Sequence, residues 1–384
     1  MRKTRFVLIL LVSLFLSNLA YAQELMSLEE VDRLIEASPN KEVKAYFESV
    51  ERGTQIKKYD ITLRGVLKEP GFKIIMFVTS HKIVAGMSGS PIYLNGKLVG
   101  ALAYGFNNLA GSNWWWGGIQ PIQAMIEQAE EGHQRLDKNK VFSYQGMTFK
   151  PISIGNRFIP GLESFGKIVV NTSSSEQVSA SRPILKAGMP IVVDLIEWKD
   201  EKGEISTVSS LGTITYIDAK GRIYAFGHPF LDSHNVVYAF RTAEVMGTIY
   251  SESGSNKLTG KTSEVLGAIT YDASYGISGE VSLGELRKLN HFNLEFQNEG
   301  KCLHKFSIKV ASSVLTPLLA QAAFNMIGEI YGAPLPQEAS VTQIDSRVEL
   351  DGHSPILWKE LFSYSSTKFG VQTFFISSYQ LAYE

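Results

Sequence analysis

The sequence contains a single cysteine, Cys302, so an internal disulfide is excluded. Lysines and arginines nearly balance the acidic residues, 37 against 38, and no run of basic residues occurs. A nucleic-acid partner is therefore not indicated. Neither a phosphate-binding loop nor a zinc-type Cys/His spacing is present, and we expect neither a metal nor a cofactor.

Long apolar runs are also lacking, except near the N-terminus. There, Arg2, Lys3 and Arg5 precede the apolar stretch 6–16, and residues 20–22 (Ala-Tyr-Ala) form a small-x-small cleavage site. This order of segments is typical of a secretory signal peptide. The stretch is short for a membrane span of about 20 residues, so we expect cleavage after residue 22 and no membrane span in the mature protein. The predicted location is the periplasm, the cell envelope or the exterior; the alternative is a retained anchor.

The most informative motif is Gly-Met-Ser-Gly-Ser-Pro at residues 86–91. Glycines on both sides of Ser88 permit tight backbone turns that direct N–H groups toward an oxyanion. We expect the N–H groups of Gly86 and Ser88 to form the oxyanion hole. Residues 92–94 and 97–104 are strand-like and flank an Asn-Gly turn. A nucleophile elbow would need a helix after the serine. The segment resembles instead the nucleophile loop of trypsin-like peptidases; the alternatives are a Gly/Ser-rich turn without chemistry, or Ser90 as nucleophile.

The organisation of the chain is predicted from its turn signals and periodicity. Hydrophobic residues make up 44% and charged residues 20% of 384 positions, as in globular proteins with two or three domains. Short strand-like runs favour a mostly β fold, a barrel or sandwich with flanking helices. The predicted segments are a signal peptide at 1–22, an N-terminal helical segment at 23–52, a nucleophile-bearing β unit with a closing helix at 53–135, a linker at 136–149, a histidine-bearing β unit at 150–290, and C-terminal strands at 291–384 with a helix at 317–331.

His228 is the best candidate for a general base among seven histidines. It follows the predicted hairpin 212–227 and precedes Pro229, so glycine and proline restrict the backbone on either side. A side chain at such a strand end can be presented rigidly. The alternative is a purely structural histidine.

Four segments resemble the stage IV sporulation protein B peptidases, serine peptidases with a trypsin-like fold. They are GMSGSPIYLNGKLVGALAYGF, GIQPIQAM, GTITYIDAKGRIYAFGHPF and SEVLGAITYDASYGISGEV. The resemblance implies two trypsin-like six-stranded β-barrels, with Ser88 as nucleophile and His228 as general base of a serine endopeptidase acting on a protein substrate.

Two departures from that family stand out. The serine segment here precedes the histidine segment, so the order is permuted, and Lys73 stands where the family carries an aspartate. A triad is defined by geometry rather than chain order, so the permutation does not forbid activity. The orienting acid stays open, with the candidates Asp60, Asp218, Asp232 and Asp272. An inactive exported binding or scaffold module is the alternative function.

Three consecutive tryptophans, Trp114, Trp115 and Trp116, follow the nucleophile hairpin. They are candidates for a wall of the substrate cleft. Ordinary packing is the alternative, because tryptophan is highly buried on average. At least one should face outward if the segment is extended, since neighbouring side chains in a strand alternate.

Overall fold

The computed structural model describes a large part of the chain. The described residues are 23–69, 72–105, 114–131, 142–144, 147–151, 170–171, 183–250, 255–298, 301–311, 340–348 and 356–364. The predicted signal peptide (1–22), residues 136–141 and 145–146 of the predicted linker, and the predicted helix 317–331 lie outside them. Within the described residues, no helix has the length and apolarity needed to cross a membrane.

Helix α1, Leu28–Ala37, opens the described chain. It begins at Ser27, whose hydroxyl accepts the Glu30 N–H at 3.1 Å and so caps the first turn. The prediction of helix to residue 52 is wrong, because Val43–Val50 forms strand β1. Pro39 removes a backbone donor just after α1, and the alternating burial along β1 is the pattern of a half-buried strand.

The first barrel is a closed ring of six antiparallel strands. Its strands are β1, β2 (Ile56–Glu69), β3 (Phe72–Thr79), β4 (Pro91–Leu94), β5 (Lys97–Gly105) and β6 (Trp115–Pro121). The ring order is β4-β1-β2-β3-β6-β5, and the β4–β5 pairing closes it. The predicted Asn-Gly turn is confirmed, since Leu94 pairs with Lys97 across it. Two short strands, β7 (Phe142–Tyr144) and β8 (Met147–Pro151), extend the sheet from β5.

Helix α2, Ile122–Glu131, follows β6 directly and confirms the predicted closing helix. Ile122 and Met125 are buried in a cluster with Leu98 and Tyr224. The helix therefore packs its apolar stripe on the barrels, as its periodicity indicates.

The second barrel is also a closed ring of six strands. In chain order the strands of this region are β9 (Val170–Asn171), β10 (Pro190–Asp200), β11 (Ile205–Ile217), β12 (Arg222–Ala225), β13 (His234–Ile249), β14 (Asn256–Thr262), β15 (Gly267–Ala273) and β16 (Gly276–Glu280). The ring order is β13-β15-β16-β12-β11-β10, closed by the β13–β10 pairing. Strand β14 pairs with β13 outside the ring, and the β11–β12 pairing confirms the hairpin predicted before His228.

The chain divides into two compact units. The first takes the described residues within 1–156, 177–193 and 210–286, which hold the first barrel and most of the second. The second unit takes those within 157–176, 194–209 and 287–384. It includes the antiparallel pairs of β17 (Asn290–Asn298) with β18 (Lys301–Val310) and of β19 (Ser340–Val348) with β20 (Ile356–Tyr364).

The predicted fold class is confirmed: the protein is mostly β, with two closed six-stranded antiparallel barrels. This architecture is compatible with the trypsin-like double-barrel fold. Apart from the helical segment corrected above, the predicted domain boundaries stay predictions.

Candidate active site

The Ser88 loop joins β3 to β4 and depends on two glycines. Gly86 has a φ of +89° and Gly89 a φ of +90°, a region that side chains with a Cβ rarely adopt. Between them, Met87 donates its N–H to the Val84 carbonyl at 3.1 Å and is buried in the core of the first barrel. This bond, together with the Ser90 N–H that donates to the Met87 carbonyl at 2.9 Å, holds Ser88 in a tight turn.

The same loop lies against β11 of the second barrel. The Thr213 N–H donates to the Ser88 carbonyl at 2.8 Å, and the Thr215 hydroxyl donates to the Gly89 carbonyl at 2.8 Å. A Cβ on Gly89 would lie 2.1 Å from the Thr213 carbonyl oxygen, so glycine is required for this approach. The loop is therefore positioned by both barrels.

The backbone N–H groups of the loop divide into two sets. Those of Met87, Gly89 and Ser90 donate to backbone carbonyls at 2.8–3.1 Å. In the described part of the chain, no acceptor takes the N–H groups of Gly86 and Ser88. These are the two donors expected to hold an oxyanion, and the arrangement leaves them available for it.

His228 follows the end of β12 and faces Ser88. Its Nε2 lies 2.6 Å from Ser88 Oγ, and its Nδ1 lies 2.8 Å from the Pro229 carbonyl oxygen. A carbonyl can only accept, so Nδ1 carries the proton in the neutral ring. Nε2 then accepts the hydrogen of the Ser88 hydroxyl. This is the tautomer that a general base needs.

Burial dominates the electrostatics of the pair. Ser88 is 2% exposed and His228 is 1% exposed. Burial lowers the pKa of His228 to about 4, against the opposing effect of its hydrogen bond with Pro229. The imidazole is consequently neutral at pH 7 and able to accept a proton.

Asp272, one of four predicted acids, lies on β15 and is fully buried. Its oxygens accept the N–H groups of Phe230 at 2.8 Å and Leu231 at 2.7 Å. Burial raises the pKa of Asp272 to about 7, and hydrogen bonds from Leu231, Phe230 and Ser233 oppose that rise. Its carboxylate therefore binds the chain that follows His228 rather than the imidazole.

The other predicted acids lie apart from the imidazole's hydrogen bonds. Asp218 accepts the N–H groups of Lys220 and Arg222, both at 2.9 Å, in the β11–β12 turn. Asp60 lies on β2, opposite Tyr46 of β1 in the antiparallel strand register. Asp232 is buried with a φ of +53°. Among the described residues, the ring of His228 hydrogen-bonds only Ser88 and Pro229.

The three tryptophans differ in their surroundings. Trp114 is 56% exposed and precedes β6, whereas Trp115 and Trp116 begin that strand. Trp116 packs against a buried cluster that includes Phe72, and the Lys82 ammonium lies 5.5 Å from the centroid of a Trp115 ring. One tryptophan thus faces outward and another contributes to packing, while the cleft role stays a prediction.

Sequence reasoning missed a buried polar chain behind the Ser88 loop. Lys257 donates to the Ser49 hydroxyl at 2.8 Å, and the Ser90 hydroxyl donates to the same oxygen at 2.9 Å. Burial lowers the pKa of Lys257 to about 7, against the opposing charge of Glu51. Ser90, the alternative nucleophile, is fully buried, and its hydroxyl is engaged in this series of hydrogen bonds.

Comparison with known proteins adds no identity: the chain matches no family model, no curated protein and no solved structure. Within the described residues, no group of His, Cys, Asp and Glu side chains could hold a metal ion. The groups that the site brings together are a hydroxyl, an imidazole and backbone N–H groups.

Proposed function

We propose that the protein is an exported serine endopeptidase in which Ser88 is the nucleophile and His228 the general base. The observation that carries this proposal is the 2.6 Å contact between Ser88 Oγ and His228 Nε2, formed by residues 140 positions apart. A nucleophile within hydrogen-bond reach of a base is the signature of covalent catalysis. The two-barrel fold is compatible with such an enzyme.

The proposed reaction follows from the tautomer of His228. Ser88 Oγ attacks the carbonyl carbon of a peptide bond, and its proton moves to Nε2 of His228. The N–H groups of Gly86 and Ser88 bind the oxyanion; losing one such donor costs about a hundredfold or more in rate. The imidazolium then gives its proton to the leaving amine, and water hydrolyses the acyl-enzyme.

The resemblance of four segments to the stage IV sporulation protein B peptidases supports a relationship of this protein to that family. The two segments with the proposed nucleophile and base lie together in space, although their order along the chain is reversed. We propose that the chain is a permuted branch of that family, directed out of the cytoplasm by residues 1–22, with a protein substrate. Because Ser88 and His228 are 2% and 1% exposed, neighbouring residues must move for a substrate to reach Ser88.

A catalytically inactive scaffold is the second candidate. It is favoured by the burial of Ser88 and His228, which are 2% and 1% exposed. A buried serine–histidine hydrogen bond can also serve to satisfy two polar groups inside the protein.

Labelling with a fluorophosphonate, which phosphonylates activated serines, separates the two candidates. We expect wild-type protein to label, Ser88→Ala and His228→Ala not to label, and Ser90→Ala to label as the matched control. All variants are checked for folding by circular dichroism. A folded wild-type protein that remains unlabelled after prolonged incubation, or labelling that survives Ser88→Ala, would reject the proposed enzyme.

A further inference from the structure

The partner of His228 Nδ1 is a peptide group that is itself held on its other side. The carbonyl of Pro229 and the N–H of Phe230 belong to one planar peptide unit. His228 Nδ1–H donates to that carbonyl at 2.8 Å, and the N–H donates to Asp272 Oδ1 at 2.8 Å. The hydrogen bonds therefore run from imidazole to peptide to carboxylate.

The position of Asp272 in the barrel makes it a rigid support. On β15, Asp272 pairs with His234 of β13 on one side and Ile277 of β16 on the other. Its second oxygen accepts the Leu231 N–H at 2.7 Å, which fixes the orientation of the carboxylate. A buried carboxylate is tolerated only when its oxygens are satisfied, and here the chain following His228 satisfies them.

A carboxylate on the N–H side of a peptide group also acts on its carbonyl. Hydrogen bonds in series polarise one another, so a negative acceptor of the Phe230 N–H makes the Pro229 oxygen a stronger acceptor. That oxygen faces the ring proton that must stay on Nδ1 while Nε2 receives the proton of Ser88. The ionised form of Asp272, which prevails above its pKa of about 7, thus supports an imidazolium without touching it.

We propose that Asp272 is a positioning residue for His228, acting through the Pro229–Phe230 peptide group in place of an acid in direct contact with the ring. This inference rests on the proposed function of Ser88 and His228. It assigns to one peptide unit the orienting role that a triad carboxylate has elsewhere.

The test compares Asp272→Asn with Asp218→Asn. Both changes remove the charge of a carboxylate that accepts two backbone N–H groups, but Asp218 lies in the β11–β12 turn. Since small misplacements of catalytic groups can cost about a hundredfold, we expect fluorophosphonate labelling of Ser88 to slow roughly ten- to a hundredfold in Asp272→Asn. Labelling in Asp218→Asn should stay within about twofold of wild type.

A second readout tests Asp272 without reliance on activity. In ¹H–¹⁵N NMR of the histidine ring, the Nδ1–H resonance of His228 should move upfield and exchange faster with water in Asp272→Asn, and stay unchanged in Asp218→Asn. Failure of wild type to label would reject the proposed enzyme, and this resonance would still decide the role of Asp272. An unchanged resonance, or labelling as fast as wild type, would overturn the inference.

A backbone variant covers the case in which Asp272→Asn does not fold. Replacing Phe230 by its α-hydroxy analogue turns the Pro229–Phe230 peptide group into an ester. This change removes the N–H that Asp272 holds and also weakens the Pro229 carbonyl as the acceptor of the His228 Nδ1–H. The same change of the His228 Nδ1–H resonance is expected. A resonance identical to that of wild type in this variant would contradict the proposal.

Discussion

Replacing Gly89 with alanine tests how the Ser88 loop is held against the second barrel. A Cβ at this position would lie 2.1 Å from the Thr213 carbonyl oxygen and 2.5 Å from the Phe226 nitrogen. Both are backbone atoms of barrel strands or of their direct continuation, so they cannot rotate away as a side chain could. The loop must therefore withdraw from β11.

Gly96→Ala is the matched control. Gly96 has a φ of +79°, close to the +90° of Gly89, but a Cβ there meets no atom within 4 Å. Alanine in the left-handed region costs roughly 1–2 kcal/mol at either position. Withdrawal of the loop in Gly89→Ala also breaks the bonds from Thr213 and Thr215, at about 1 kcal/mol each. We expect a loss of about 1 kcal/mol for Gly96→Ala and about 3 kcal/mol or more for Gly89→Ala.

Urea unfolding followed by tryptophan fluorescence measures both losses as midpoint shifts at constant slope. Labelling of Ser88 gives a second readout, which Gly89→Ala should abolish and Gly96→Ala should leave intact. Equal midpoint shifts for the two variants would refute the close approach of the loop to β11.

Three further predictions follow from the buried groups. The pKa of His228 is about 4 in the folded protein and near 6.5 when unfolded, so its contribution to stability is lost as pH falls from 6.5 to 4. His228→Gln should reduce the pH dependence of the unfolding free energy in this range, as measured by urea unfolding. The same pH dependence in His228→Gln as in wild type would contradict the lowered pKa. The pKa of Lys257 is about 7 when folded against 10.5, so the unfolded chain binds more protons between these values and stability rises with pH there, by at most about 1.4 kcal/mol per unit. Lys257→Met should remove this rise, as measured by urea unfolding from pH 7 to 10. Ser90→Ala should lower the unfolding free energy by about 1–3 kcal/mol, because the buried Ser49 hydroxyl loses a hydrogen-bond donor. An unchanged midpoint in urea unfolding would contradict the hydrogen bond between Ser90 and Ser49.

Those parts of the fold that are specified by residues adjacent in the sequence could be predicted. The Asn-Gly turn and the hairpin before His228 are encoded by adjacent residues, and both occur where expected. The closure of the second barrel depends on β13 pairing with β10. Two other strands, β11 and β12, separate them in the chain, and no local signal specifies the pairing. Residues 43–50 were wrongly predicted as helical, because their composition is compatible with helix while their pairing with β2 is a tertiary effect.

The site divides in the same way. Ser88 and His228 each lie in a short segment whose glycines and proline restrict the backbone, so both could be chosen as candidates. Asp272 could be named only as one of four acids, because its partner Phe230 lies 42 positions away. Lys257 was missed altogether, since it meets Ser49 across 208 positions.

The sharpest test of Ser88 as nucleophile and His228 as base is to identify the residue that a fluorophosphonate modifies. Wild-type protein treated with a fluorophosphonate is digested and its peptides are mapped by tandem mass spectrometry. We expect one phosphonylated residue, Ser88, and no modification in His228→Ala. Modification of another serine, or none in folded wild-type protein, would contradict it.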